Sequence, residues 1–237
     1  MMDFQTMLQG LNVYWKAHGC ALLQPYDSEV ATGVLYPETF FRLLGPNPWQ
    51  AAYAATARRP SDGRYGSNPY RLQHYFQYQV LLKPSVQDVQ TRYLDSLKAL
   101  DIDLRAHDLR FVEDTWELVN LGAWGLGWDV WLDGLSISRI TYLQQLGGVA
   151  LEPVTVKLSY GLARLAMHLQ AAAHVYDVQY SPEHSLGDLY QVFEAQHSSY
   201  NFDHVDSSLQ RELFERYEAE AMRLLELELV YPAYDFV

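Results

Sequence analysis

The stretch from Trp49 to Leu158 constrains the fold more than any other part of the chain. WQAAYAATA, LQHYFQYQVLLK, LRFVEDTW, GLGWDVWLD, SISRITYLQQ and EPVTVKL are short runs of aromatic and β-branched residues bounded by Gly, Pro, Asn or Asp. Such residues suit a pleated, half-buried surface, and the bounding residues suit turns. Six such runs without regular intervening helices predict an antiparallel sheet. One helix interrupts them. It is expected to open at Ser85 with Asp88 as a capping-box variant, to bury Val89, Tyr93, Leu94, Leu97 and Leu100, and to end before Asp101.

Helices are expected on either side of this stretch. Phe4, Met7, Leu8, Leu11, Tyr14 and Trp15 recur at three- and four-residue steps, with Asp3 placed as a cap and Gly19 as a stop. Residues 24–48 hold four prolines and read as extended segments and turns around a short helix from Glu38 to Leu43. After the last strand, Ser159 to Gln170 reads as a helix with Tyr160, Leu162, Leu165, Ala166 and Leu169 inward. A polar stretch from His184 to Asn201 then precedes a helix from about Ser207 to Glu228, with Leu209, Leu213, Tyr217, Ala221 and Leu224 facing in. The expected class is α+β, an antiparallel sheet flanked by helices.

Composition narrows the function classes. Seventeen Lys and Arg against 29 Asp and Glu give a net charge of −12 over 237 residues, so most of the surface repels a phosphate backbone. Contact with nucleic acid is therefore local or delegated to a partner. The single cysteine, Cys20, excludes an internal disulfide framework and fits a reducing, cytoplasmic setting. No signal segment or membrane-spanning run is visible. There is no P-loop and no GxSxG elbow, and Gly122, Gly125 and Gly127 do not form a dinucleotide fingerprint. No HExxH or clustered His/Cys set points to zinc, and His168 reads as a packed or solvated helical imidazole.

Two segments suggest chemistry. ARRPSDGRYGSNPYRLQHYFQYQV sets Arg58, Arg59, Arg64 and Arg71 in the loop between two strands, among Gly63, Gly66 and Pro69. Clustered guanidinium groups suit a polyphosphate, because each donates hydrogen bonds in pairs; they would equally suit surplus carboxylates of an acidic chain. KLSYGLARLAMHLQ runs from a strand into a helix, with Gly161 where a backbone or ligand could approach and Arg164 three residues on.

Taken with QPYDSEV, FFRLLGPNPWQAAY, DLRFVEDTWE, LGAWGLGWDVWLDG, TYLQQLGG and SSYNFDHVD, these segments closely resemble, in order, successive blocks of the α subunit of bacterial heterotetrameric glycyl-tRNA synthetase. The resemblance is collinear over residues 4–237. It implies a class II aminoacyl-tRNA synthetase catalytic domain over 1–237, with 205–237 the start of a C-terminal helical region that continues further in the family. It also implies ATP-dependent formation of glycyl adenylate, transfer of glycine to tRNA with a separate β subunit that meets most of the tRNA, and a homodimer of α through the segment around Pro37. ATP and Mg2+ come with that activity.

By resemblance, Arg59, or less readily Arg58, holds the α-phosphate and Arg164 the γ-phosphate. Arg71, Gln73 and His74 lie toward the adenine and α-phosphate, and Gln77 and Gln79 share a strand face beneath. Glu113 and Asp114 are the expected metal ligands, and Glu117 is a candidate for the substrate amino group or a metal. Trp116, Trp124, Trp128, Thr141 and Gln144 are candidate walls of a pocket too tight for a β-carbon, whereas Trp131 reads as ordinary sheet packing.

Against the family pattern, Lys157 and Ala163 stand where glutamates are expected, a local shift of about +3 that strengthens phosphate binding and weakens metal organisation. Arg139 replaces an uncharged polar residue. The segments Ala31–Tyr36 and Ala55–Ala57 also depart from the pattern. These changes leave two other readings open: a paralogue without aminoacylation activity, and an enzyme that adenylates another small acid for a non-tRNA acceptor.

Overall fold

The computed structural model describes residues 2–24 and 29–237; Pro25–Ser28, at the start of the segment expected to form extended stretches and turns, lie outside the described residues. The N-terminal helix α1 (Phe4–Ala17) forms as its spacing predicts. The Asp3 carboxylate accepts from the Thr6 N–H at 2.7 Å, and Gly19 takes the left-handed conformation just past the end. Phe4, Met7, Leu11 and Trp15 are buried, each contributing about 1.5–3 kcal/mol of transfer free energy. A two-residue strand β1 (Ala21–Leu22) and helix α2 (Pro37–Leu43), with its proline in the first turn, lead into the sheet.

The main strands are β2 (Trp49–Arg58), β3 (His74–Lys83), β4 (Leu109–Leu118), β5 (Ala123–Leu132), β6 (Leu135–Leu146) and β7 (Val149–Gly161). Together with β1 they form a seven-stranded sheet in the order β1-β2-β3-β7-β6-β5-β4. Every pairing is antiparallel except that of β1 with β2, which makes the sheet mixed rather than wholly antiparallel. Between β2 and β3 lies the short helix α3 (Pro60–Gly63), and between β3 and β4 lies α4 (Val89–Lys98).

The expected Ser85 capping box is absent. The Ser85 N–H donates to the Val154 carbonyl, Asp88 makes no capping bond, and its carboxylate pairs with Arg92 at 3.0 Å instead. Leu94 is half-buried and packs against the main core.

Helix α5 (Leu162–Gln170) starts later than the sequence suggests, because β7 keeps its ladder bonds through Tyr160 and Gly161. Ser159 and Tyr160 are therefore strand residues. Within the helix Leu169 is half-buried, and Met167 takes a core place. The polar stretch from His184 is in fact helical: α6 (Leu186–Ser199) opens with a complete capping box between Ser185 and Asp188. In α7 (Ser207–Glu226) only Ala221 and Leu224 are buried; Leu209 and Tyr217 are exposed and Leu213 is half-buried, so the expected inward stripe is partnered at its C-terminal end alone. A last short helix, α8 (Val230–Tyr234), packs Tyr231 and Tyr234 against Phe41, the rings tilted to edge-on.

Helices α1, α4 and α5 cover one sheet face, where Tyr78, Val80, Leu82, Ile140, Leu158 and Tyr160 belong to the main core. A smaller core around Val34, Leu43, Tyr53, Leu81 and Leu143 covers part of the opposite face. The rest of that second face is left open as a cleft.

Candidate functional site

The cleft has a volume of about 390 Å3 and draws on five of the six main strands, β3 to β7. Side chains alternate along a strand, so the odd-numbered residues of β3 and β7, Tyr75, Gln77, Lys157 and Ser159, point the same way. Asp129 and Trp131 of β5, Arg139 and Thr141 of β6 and Trp116 of β4 complete the floor. Gly125 and Gly127 on β5 keep it low. A Cβ at Gly127 would lie 1.9 Å from the Ile140 carbonyl oxygen, so only glycine fits this close backbone approach.

Three arginines come from outside the floor. Arg59 directly follows β2, where its N–H donates to the Gln73 carbonyl at 2.8 Å and its guanidinium lies 4.2 Å from the Tyr75 ring centroid. Tyr75 is also what closes on Gly161, since a Cβ there would meet its hydroxyl at 2.9 Å; no ligand is needed to explain that glycine. Arg71 is half-exposed at the cleft mouth and pairs with Asp62 at 3.3 Å. Arg164, in the first turn of α5, donates to the Ser136 carbonyl at 2.8 Å. Ser136 in turn donates to Asp129 at 2.9 Å, so the arginine and the carboxylate are held by one residue.

Lys157 lies between them, buried, donating to the Ser159 hydroxyl at 3.0 Å with its ammonium 5.9 Å from the Trp116 ring centroid. Burial, followed by the charges of Arg139 and Arg59, pulls its pKa down to about 7. Gln77 is buried too, and its Nε2 has no partner. An unmet buried donor is costly, and an oxygen-bearing ligand in the cleft would relieve it.

The structure brings Arg59, Arg71, Gln77, Thr141 and Arg164 to the cleft among the expected site residues, with Trp116 among the expected walls. It does not bring the others. Arg58 points away, paired with Glu29 at 3.6 Å and set over the Phe193 ring. Gln73 and His74 bind Glu194 of α6: its carboxylate accepts from the Gln73 N–H at 2.6 Å, the His74 N–H at 3.2 Å and the His74 imidazole at 3.1 Å. Gln79 lies one layer down, accepting from Ser159 and bonded to Gln77. Trp128 and Gln144 line a separate groove that also holds Glu113, Tyr142 and Leu126. Glu117 and Trp124 face one another on β4 and β5 outside the cleft, both exposed. Trp131, expected to be packing, is a wall of the cleft and 37% exposed.

Glu113 and Asp114 both line the separate groove and do not line the cleft. They are neighbours on β4, so their side chains take opposite faces, and Asp114 is already in ion-pair contact with Arg139 at 2.9 Å. Asp129 is the one carboxylate lining the cleft among the described residues, against the five cations Arg59, Arg71, Arg139, Lys157 and Arg164. Magnesium takes hard oxygen ligands, usually one or two carboxylates plus substrate phosphates. The described residues of the cleft therefore do not fit a protein-held divalent ion. They fit an anion.

Tyr75, Asp129, Ser136 and Ser159 were not singled out by the sequence reading. The parity of β3 and β7 is the signal that places Tyr75 beside Gln77 and Ser159 beside Lys157.

A family model described as glycyl-tRNA synthetase alpha subunit matches residues 4–237. Among solved structures, a pyrrolysyl-tRNA synthetase of Desulfitobacterium hafniense, PylSc, superposes with a TM-score of 0.51 at 16% identity, covering 76% of this chain and 74% of that one. A second pyrrolysyl-tRNA synthetase structure from the same organism gives 0.49 at 14% identity, with 78% and 75% covered. At such identity the first likeness is one of fold, that of the class II synthetases.

Proposed function

Because the chain belongs to the glycyl-tRNA synthetase alpha subunit family, and so serves an aminoacyl-tRNA ligase with a beta subunit and tRNA as partners, we propose that its cleft is where ATP and glycine are condensed. One observation carries this reading: arginines from the β2–β3 hairpin and from α5 converge on a single cleft with Lys157 and Arg139, in a chain whose net charge is −12. Concentrating cations in an acidic protein suits a polyphosphate.

In this reading Arg59 holds the α-phosphate, with Tyr75 beneath its guanidinium, and Arg164 holds the γ-phosphate from its tether on Ser136. Arg71 closes the mouth on the adenine side. The glycine carboxylate oxygen attacks the α-phosphorus, pyrophosphate leaves in line, and no protein group forms a bond. The chain's part is to position the two reactants and to absorb charge as it spreads over the phosphate oxygens. Gln77 and Thr141, with the Trp116 ring, are placed to receive glycine beside Lys157. Synthetases typically use a divalent ion with ATP. The scarcity of carboxylates in this cleft assigns charge neutralisation to the five cations instead, and no step is routed through a metal.

The reading carries with it a homodimer through the Pro37 segment, residues 1–237 acting as one catalytic domain, and a cytoplasmic setting. Among the described residues no helix is long and apolar enough to cross a membrane.

The test is glycine-dependent ATP–pyrophosphate exchange by the chain with its beta subunit, alanine and serine serving as controls. Exchange with glycine alone is expected. Arg59→Ala and Arg164→Ala should each weaken ATP binding at least tenfold while leaving the unfolding transition in place. Unchanged ATP affinity in both variants would overturn the phosphate assignment.

A further inference from the structure

Away from the cleft floor, three potential ligands converge from separate elements. His107 lies in the loop between α4 and β4, Asp133 in the β5–β6 turn, and His168 on α5. One donor atom from each lies within 4.8 Å of the others. Asp133 Oδ2 is 2.7 Å from His107 Nδ1 and 3.8 Å from His168 Nδ1, and the two imidazole rings stand 4.6 Å apart, edge to face. We propose that His107, Asp133 and His168 form a binding site for one divalent transition-metal ion of the zinc class.

The donor set and its support carry the proposal. Two imidazoles with one carboxylate favour zinc, cobalt or nickel over magnesium or calcium, which take oxygen. With metal–ligand bonds of about 2.0–2.1 Å, tetrahedral ligands stand about 3.3 Å apart. The two distances to Asp133, 2.7 and 3.8 Å, bracket that separation, and the histidine donors stand within 4.8 Å of each other, so side-chain rotation must draw the two imidazoles together to close the site. The carboxylate is also fixed from behind. Its Oδ1 accepts from the Asp108 N–H at 2.8 Å, and the Asp133 N–H donates to the Asp108 carbonyl at 2.9 Å, which locks the two loops together and leaves Oδ2 toward the histidines. A bound ion takes the place of the proton now shared by His107 and Asp133. Asp133 is exposed and the histidines half-buried, which gives an entry path and room for a water as the fourth ligand.

The site would also act on the cleft. His168 follows Arg164 by one turn of α5, and Asp133 precedes Gly134, Leu135 and Ser136, all three of which line the cleft. An ion here ties the helix that presents Arg164 to the turn that receives its hydrogen bond. No catalytic step depends on it.

Equilibrium dialysis of the full chain against Zn2+ with metal analysis, and titration with Co2+ followed by visible absorption, test this directly. One ion per chain is expected, with Co2+ bands of tetrahedral intensity. His107→Gln, His168→Gln and Asp133→Asn should each weaken Zn2+ binding at least tenfold with unchanged far-UV circular dichroism; Asp133→Asn keeps an acceptor for the Asp108 N–H. The rise in melting temperature that Zn2+ gives the wild type should vanish in Asp133→Asn. Failure of the wild type to hold stoichiometric Zn2+, or binding and thermal shift unaltered by the three substitutions, would overturn the proposal. Exchange activity is not the readout, so this result stands apart from that of the ATP assignment.

Discussion

Glu194 offers the sharpest test of how the arginine hairpin is held. Its carboxylate is fully buried on α6 and accepts three hydrogen bonds, from the N–H groups of Gln73 and His74 and from the His74 imidazole. Gln73 in turn accepts from the Arg59 N–H, so the carboxylate lies two hydrogen bonds behind a cleft arginine. Glu194→Ala leaves three donors without a partner in a site closed to bulk water. Each unmet donor costs about 1–3 kcal/mol, and removing one side of a buried charged network costs about 3–5 kcal/mol in all, because the terms are not additive. For a chain of this size each kcal/mol moves the melting temperature by about 2–4 °C, so a fall on the order of 10 °C is expected. Glu194→Gln retains one acceptor oxygen but turns an amide N–H toward another donor, and should fall between the two. Urea unfolding of the three proteins measures the loss, and exchange kinetics at saturating and limiting ATP measure the consequence for Arg59. The loosened hairpin should raise KM for ATP more than it lowers kcat. A loss below about 1 kcal/mol in Glu194→Ala would refute the reasoning, since the donors would then have found other partners.

Three further outcomes follow from the cleft. With Lys157 near a pKa of about 7 rather than the usual 10.5, bound phosphate should restore its proton, so ATP binding at pH 8 should take up close to one proton. Calorimetry in buffers of different ionisation enthalpy reads this uptake, and Lys157→Met should abolish it. The same shift makes the unfolded chain bind more protons than the folded one between about pH 7 and 10.5, so stability should rise with pH across that window by about 1.4 kcal/mol per unit at most, and Lys157→Met should flatten the rise. Gly127→Ala should lower stability by several kcal/mol or prevent folding, given the 1.9 Å approach to the Ile140 oxygen, and wild-type urea stability would refute that contact.

Much of the sheet was legible because strand signals are local. The alternation and turn residues of the six runs placed β2 to β7 to within a few residues of their observed bounds. Helix edges were less legible where one residue serves two patterns. Tyr160 and Leu162 satisfy a helical stripe, yet Tyr160 also pairs with Tyr78 and Ser138, and two ladders outweigh one turn of helix. The segment 186–199 reads as polar because its buried face includes Glu194 and Ser198, and the partners of Glu194, Gln73 and His74, lie more than a hundred residues away. Its start was legible all the same, in the S-x-x-D of Ser185 and Asp188. Ser85 and Asp88 have the same spacing and make no capping box, since the Ser85 N–H is taken by Val154. Spacing alone does not separate the two cases.

The site was legible by residue type and less so by direction. Gln73, His74, Gln77 and Gln79 are alike in chemistry, and strand parity sets only His74, which turns to Glu194, apart from Gln77 and Gln79; these two share a face, and depth separates them, Gln77 opening on the cleft and Gln79 supporting it from beneath. The same rule parts Glu113 from Asp114, and it was available from the sequence. What parity could not supply is the reach across Gly127 by which Arg139 meets Asp114, because that depends on a missing side chain in the strand between. Nor could it bring His107 and His168 together, since one lies in a loop and the other on a helix, with the Asp133 turn between them. A chain of net charge −12 whose described residues line one cleft with five cations and a single carboxylate concentrates positive potential there, which suits a small polyphosphate, while its remaining surface repels a polynucleotide.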